Sequence, residues 1–254
     1  MNNSDTHVLV VNPAGASPIV LVCEHASPHI PAEFAGLGLS PDDRMSHAVW
    51  DPGAMPVTEH MSKMLDAVAV TSGVSRLIYD CNRPPTASDA MPERSEVVDV
   101  PGNQALSPGA RAQRVTAYYL PFLETLRSTV AATTDPVIVT IHSFTPIYHG
   151  RPRSVEIGVL HDSDTRLADA MMQTAAAHLD NDVQRNAPYG AGDGVTHTLQ
   201  EHGLKHGHLN VMLEIRNDLI ATPEQQLAMA RSVSRWVADA CARLGVLGGV
   251  QCRA

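Results

Sequence analysis

The sequence predicts an α/β fold, with a mostly parallel or mixed central sheet between two layers of helices. Three observations carry that expectation. The runs at 19–23, 137–141 and 209–213 are short and largely apolar, and that at 137–141 is β-branched and uninterrupted, as strands buried on both faces of a sheet are. Longer stretches with apolar residues at helical spacing alternate with them. Polar, chemically capable residues stand where those runs end, the place where open α/β sheets put their ligand sites.

Residues 8–11 and 19–23 read as the first two strands, divided by the turn-forming Asn12-Pro13-Ala14-Gly15. Pro28, Pro31 and Gly36 mark a loop. A helix is expected over 52–66, carrying Met55, Val57, Met61, Met64 and Leu65, with Asp51 as its cap and Pro52 at its first position. Residues 67–71 and 76–81 read as strands. The stretch 82–108 is rich in Pro, Asp, Ser and Gly and too long for an idle connection, so it reads as a loop covering a site. A long helix over 108–133 carries Tyr118, Tyr119, Phe122, Leu123 and Leu126. Strands at 137–141 and 155–160, a helix at 164–179, a polar loop around Asn186-Ala187-Pro188-Tyr189-Gly190 and a short helix at 196–202 follow. The strand from Leu209 and a helix at 223–244 close the chain. Neither an internal repeat nor a long break interrupts this order, so one domain over 1–254 is expected.

The 254 residues, 44% hydrophobic and 18% charged, suffice for a substantial core and argue against disorder. No apolar stretch approaches the ~20 residues of a membrane span. Met1-Asn2-Asn3-Ser4-Asp5 lacks the basic and apolar regions of a secretion leader, and Cys23, Cys81, Cys241 and Cys252 form no CxxC pair. Reduced thiols and a cytoplasmic setting are expected. A net charge of −9 with only two lysines, Lys63 and Lys205, disfavours nucleic acid as a partner. A small anionic substrate would instead require arginines gathered at the site.

His142-Ser143 follows the run 137–141, and Glu214-Ile215-Arg216 follows 209–213. Strand alternation puts Glu214 and Arg216 on one face and Ile215 on the other. Glu24-His25 ends the run 19–23 in the same way. Two strand-end histidines and one carboxylate make a three-ligand zinc site with a fourth position open. The carboxylate is Asp51 or Glu24. Adjacent residues of an extended chain point opposite ways, which favours Asp51, whose competing role is the helix cap. Arg76 opens the expected strand 76–81 and Asn82-Arg83 close it before Pro84-Pro85. An arginine fork matches a carboxylate bidentately and an Asn amide can complete the contact, although Arg83 could equally pair with Asp80 or a loop acid. Glu214 can act as general base beside a metal, with Arg216 near the substrate's negative charge, or the two can form a structural ion pair. His47 is expected to be supporting or structural. His197, His202, His206 and His208 lack ligand spacing, and the thiol of Cys23 should be raised by burial and inert. These parts suit metal-dependent amide hydrolysis.

Several stretches together resemble the N-formylglutamate amidohydrolase family: Val22-Cys23-Glu24-His25-Ala26-Ser27, Ala48-Val49-Trp50-Asp51-Pro52-Gly53-Ala54, Ser75-Arg76-Leu77 through Asn82-Arg83-Pro84, Ile141-His142-Ser143-Phe144-Thr145-Pro146, Asn186-Ala187-Pro188-Tyr189 and Glu214-Ile215-Arg216-Asn217-Asp218. That family is similar in plan to zinc carboxypeptidases and aspartoacylases. The resemblance implies a three-layer carboxypeptidase-like fold and zinc held by His25, an acid and His142. It implies that Arg76 polarises the scissile carbonyl, Asn82 and Arg83 bind a carboxylate, and Glu214 serves as base. Zinc carboxypeptidases place the acid three residues after the first His. Here Pro28 stands there, so Asp51 becomes the family-like choice. The implied substrate is an N-acyl acidic amino acid, N-formyl-L-glutamate above all, in a reaction of histidine degradation. The rival readings are another N-acyl amino acid hydrolase or carboxypeptidase-like enzyme, and a metal-dependent binding protein without turnover.

Overall fold

The computed structural model describes residues 7–246 and 250–252; the segment Met1 to Asp5, read above as no secretion leader, lies outside them. Among the described residues eleven strands form, β1 (Val8–Val11), β2 (Ile19–Cys23), β3 (Val68–Ser72), β4 (Arg94–Ser95), β5 (Val98–Asp99), β6 (Val137–Phe144), β7 (Ile147–Tyr148), β8 (Arg151–Pro152), β9 (Ile157–Leu160), β10 (Val183–Arg185) and β11 (Leu209–Arg216). The α-helices are α1 (Ala54–Leu65), α2 (Pro108–Arg114), α3 (Leu120–Ala132), α4 (Arg166–Thr174) and α5 (Pro223–Arg243). Seven strands make the main sheet in the order β1-β3-β2-β6-β11-β9-β10. From β3 through β2 and β6 to β11 neighbours run parallel, while β1 joins β3, and β9 joins β11, antiparallel. This is the mostly parallel sheet between helices that the runs predict. The chain leaves β2 toward β3 on one side and returns to β6 on the other, so the sheet has its topological switch between β2 and β6, where a crevice opens at the carboxyl ends.

Alternation divides the core in two. Ile19, Leu21, Val137, Val139, Ile141, Val211 and Leu213 pack against Val57 and Met61 of α1, Met171 of α4, and Val233 and Trp236 of α5. Val20, Val22 and Ile138 face Tyr118, Phe122 and Leu126 of the α2–α3 layer on the other side. Helix α5 begins with a capping box, Thr222 with Gln225, and Pro223 in its first turn. The indole of Trp236 donates to the Met171 carbonyl at 2.8 Å, tying α5 to α4.

Several boundaries differ from expectation for definite reasons. β6 and β11 run on through His142 to Phe144 and through Glu214 to Arg216, because adjacent strands supply ladder partners for these polar residues as well. Residues 76–81 form turns, not a strand. Leu77, Ile78 and Tyr79 are buried without any sheet edge, and Ile78 N–H bonds Ser75 O, Asp80 N–H bonds Ala90 O and Arg83 N–H bonds Asp80 O. Helix α1 starts at Ala54 with Gly53 as cap at φ 84°, so Asp51 does not cap it. The helix expected over 108–133 is interrupted by a π turn at Val115–Tyr119, just before Pro121, which has no N–H to give the preceding turn. The loop 82–108 contains the β4–β5 hairpin, and β7–β8 and β10 had no strand signal.

Gly158 in β9 pairs across the ladder with Glu214, and a Cβ there would run into the Ala187 carbonyl. The loop that carries Tyr189 therefore lies directly on this strand. Gly158→Ala should lower stability by about 1–3 kcal/mol, the range for overpacking. Urea unfolding reads this, and an unchanged midpoint would mean that the loop and strand can part freely.

Candidate active site

The odd residues of β6 and β11 enter the α1–α5 core, so His142 and Glu214 project together from the opposite face. They are direct ladder partners. Continuing the alternation of β2, whose Cys23 enters that same core, brings Glu24 out on the face of His142. At His25 the chain has turned, and its carbonyl accepts the Asp51 N–H at 3.0 Å. Asp51 is thereby carried over the crevice from the segment before α1.

His25, Asp51 and His142 converge there, all buried. His25 Nδ1 lies 3.3 Å from Asp51 Oδ2, His142 Nδ1 lies 2.9 Å from the same oxygen, and the two Nδ1 atoms are 3.1 Å apart. Ligands about 2.0–2.1 Å from a shared tetrahedral ion stand roughly 3.3 Å from one another, so the triangle suits a small divalent cation. The outer ring nitrogens strengthen the fit. His25 Nε2 is 2.7 Å from Asp80 Oδ1, and His142 Nε2 is 3.0 Å from Glu24 Oε2. Asp80 hydrogen-bonds His25, and Glu24 stands at ion-pair distance from His142 without a hydrogen bond, so in neutral rings both acids favour the proton on Nε2 and leave the Nδ1 lone pairs facing one another and Asp51. Two lone pairs and an anion at such distances form a donor set that could hold a metal cation.

Charge reinforces the argument. Glu24, Asp51, Asp80 and Glu214 are all buried in this region, and Arg76 is the guanidinium that bonds two of them, Asp51 Oδ1 at 3.3 Å and Asp80 Oδ2 at 2.9 Å. Burial opposes ionisation of Asp80, but His25, Arg76 and Arg83 hold it well below the usual carboxylate range. Asp51 is likewise lowered, against its burial, by His25 and His142. His142 is raised, against its burial, by Glu24 and Asp51. Glu214 goes the other way: burial first, then the Asp51 charge, push it up to about 7 while His142, His25 and Arg76 pull against them. Its Oε2 is buried with no hydrogen-bond partner among the described residues. Burial, with the charges of Asp51 and Glu24, also raises the Cys23 thiol, as an inert core cysteine requires.

A cavity of about 520 Å³ opens over this cluster, bordered by His25, Asp51, Arg76, His142 and Glu214. Asn82 and Arg83 line it too. Asn82 fastens the distant segment after Tyr189, donating from Nδ2 to Val195 O at 2.6 Å and accepting the Thr198 N–H at 3.0 Å. Arg83 donates from Nε to Asp89 at 2.8 Å and from one Nη to the Asn82 carbonyl at 3.0 Å. Glu24 stands behind His142, outside the triangle of facing atoms. Arg216 is a correction. It is not among the residues lining the cavity, because Asp218, Glu156 and the carbonyls of Arg153 and Ser154 take up its guanidinium. Strand alternation fixed its face but not the acids that draw it aside. His47 lies on the cavity rim, 2.6 Å from Glu96. His197 pairs with Tyr119 Oη at 2.8 Å, away from the triangle.

Sequence reasoning missed three residues. Asp80 orients His25 and Arg76 together; its position four residues after Arg76 was the available signal. Tyr189 lines the cavity, its hydroxyl pushed up to about 12 by burial and by the charge of Glu214. Arg153 lines it as well, from a hairpin without any strand signal.

A family model for N-formylglutamate amidohydrolase matches residues 17–221. The crystal structure of gene product Atu2144 from Agrobacterium tumefaciens is 49% identical, with a TM-score of 0.92 over 94% of this chain and 96% of that one. A crystal structure of N-formylglutamate amidohydrolase from Ralstonia eutropha is 16% identical but shares the fold, with a TM-score of 0.72 over 94% of this chain and 99% of that one. No curated protein sequence matches the chain.

Two outcomes follow from the geometry. If the triangle holds a divalent metal, His25→Ala, His142→Ala and Asp51→Asn should each abolish its binding, and Asp80→Asn should weaken it about 10–100-fold through its partner His25. Elemental analysis and zinc titration measure both; wild-type metal content in the two histidine variants would exclude the site. Arg216→Gln should lower stability by about 1–3 kcal/mol as its charged hydrogen bonds are lost, with metal content intact, in urea unfolding and elemental analysis.

Proposed function

Because the chain belongs to the N-formylglutamate amidohydrolase family, we propose that it is a zinc-dependent hydrolase cleaving the amide of an N-acyl acidic amino acid, N-formyl-L-glutamate above all, to formate and L-glutamate. The observation that carries this reading is the His25, Asp51 and His142 triangle opening onto the same cavity as Glu214. His25, Asp51 and His142 would hold the ion, which when bound supplies Lewis-acid polarisation of the carbonyl and acidifies water.

The protein groups divide the remaining work. Glu214, raised by burial to about 7, can both accept and release a proton near neutrality. It takes a proton from the attacking water and delivers it to the amine nitrogen as the C–N bond breaks. Arg76 keeps its charge beside the cluster, against its burial, through Asp80 and Asp51, and faces negative charge developing on the carbonyl oxygen. Tyr189 stays protonated and can donate a hydrogen bond from the opposite loop. Arg83 stands on the Asn82 side of the cavity, where the N–H groups that Asp89 and the Asn82 carbonyl leave over can meet one substrate carboxylate.

The cavity volume falls within the range of small-molecule sites, and the net charge of −9 supports a small molecule over nucleic acid. Among the described residues no helix is long and apolar enough to cross a membrane, and a cytoplasmic location is part of the proposal.

Formate release from N-formyl-L-glutamate by the zinc-loaded protein tests the reaction. Glu214→Gln should retain metal and substrate binding while kcat falls by roughly 10²-fold or more, since the carboxylate acts only as the proton moves. Normal turnover by that variant would take the base away from Glu214.

A further inference from the structure

We propose that Arg153, clasped by aromatic rings, is a carboxylate receptor of the cavity and the residue that selects acidic over neutral N-acyl amino acids. The inference rests on the amide-hydrolase reading above and assigns to Arg153 the contact that the sequence suggested for Arg216. Three guanidinium groups border the cavity, those of Arg76, Arg83 and Arg153. Arg76 is committed to Asp51 and Asp80, and Arg83 to Asp89 and the Asn82 carbonyl. Arg153 forms no ion pair with a carboxylate among the described residues, and its Nη1 reaches the Thr145 carbonyl only at 3.5 Å.

Aromatic rings hold it instead. Its Cζ lies 4.2 Å from the Tyr148 ring centroid, 4.9 Å from Tyr189 and 5.5 Å from Phe144. The Tyr189 hydroxyl also takes a hydrogen bond from Arg153, and the N–H groups that Tyr189 and the Thr145 carbonyl leave over point a planar, charged edge at an anion. A cation held by rings keeps its charge unneutralised, ready for a ligand. Burying it unpaired would be costly, but it stands at a cavity where a bound carboxylate can complete it.

The box is tied to the reacting centre. Phe144 lies two residues beyond His142 on β6, so the two backbones are about 7 Å apart along the strand, a distance suited to a small amino acid. Tyr189 comes from the loop that rests on Gly158, and Arg216 donates to the carbonyls of Arg153 and Ser154, fixing the backbone beneath the guanidinium. The rim also carries Glu96 and Asp193, which repel an entering anion, so selection for acidic substrates needs a positive group inside.

The experiment compares wild type, Arg153→Gln and Arg153→Lys on N-formyl-L-glutamate and its two mono-amides, N-formyl-L-glutamine and the α-amide. Glutarate binding is measured by calorimetry in parallel. In Arg153→Gln the preference for the diacid over one mono-amide should fall about 10–100-fold, mainly through KM. Loss against the glutamine form assigns Arg153 to the side-chain carboxylate, and loss against the α-amide assigns it to the α-carboxylate. Arg153→Lys keeps the ring-bound charge without the fork, so it should recover part of the preference. It also carries the test should Arg153→Gln fail to fold. Unchanged preferences in the variants overturn the inference. If wild type does not hydrolyse N-formyl-L-glutamate, the parent reading falls, while glutarate binding that weakens at least about 10-fold in the variants still supports the receptor. Equal glutarate affinity in wild type and variants overturns it.

Discussion

Negative charge buried at the carboxyl ends of β2 and β6 governs the organisation of this molecule. Glu24, Asp51, Asp80 and Glu214 are each at most 5% exposed, and carboxylates in such surroundings must be paired, protonated or bound to a cation. The structure combines these answers. His25 stands between Asp51 and Asp80, and His142 between Asp51 and Glu24. Arg76 spans Asp51 and Asp80 from the cavity side. Glu214, with no such partner on Oε2, is raised toward neutrality. Divalent metal at the proposed triangle would supply the remaining positive charge and turn an electrostatic burden into a hydrolytic centre.

The sheet keeps this arrangement rigid. Odd-numbered residues of β6 and β11 anchor in the core beneath α1, α4 and α5, so the residues between them have no freedom to turn away. Glu214 has ladder partners on both sides, in β6 and β9, and His142 has one in β11, which is stiffer support than a loop offers. Asp51 and Asp80 come from irregular segments and are fixed instead by hydrogen bonds: the Ser143 N–H donates to Asp51 at 3.2 Å and the Asn82 N–H to Asp80 at 2.9 Å. The arginines follow the same division. Arg76 balances the cluster, Arg216 braces the hairpin backbone, and Arg153 faces the cavity on aromatic support.

Much of the design could be read from residue order. Period-two alternation sets which residues share a face, so the runs ending in His142 and Glu214 revealed both the sheet and the two groups that it presents together. Those local rules also placed His25 at a strand end, and the joint resemblance of six stretches pointed to the family that the match over residues 17–221 establishes. The failures have a common cause. Leu77-Ile78-Tyr79 is as apolar as a strand, yet it is buried in turns beneath a loop, since apolar composition reports burial and not pairing. The cap reading of Asp51 failed because Gly53, with its positive φ, takes up the start of α1.

What the sequence determined by itself was therefore the layered fold, the strand-end histidines and the shared face of His142 and Glu214. Each depends on backbone periodicity over a few neighbouring residues. Tertiary structure decided the partners: Asp51 rather than Glu24 in the triangle, Asp80 behind His25, Arg216 drawn off by Asp218 and Glu156, and Arg153 brought between Tyr148 and Tyr189. Those contacts join segments far apart in the chain, and side-chain charge acts through space, so no local pattern could specify which acid meets which base.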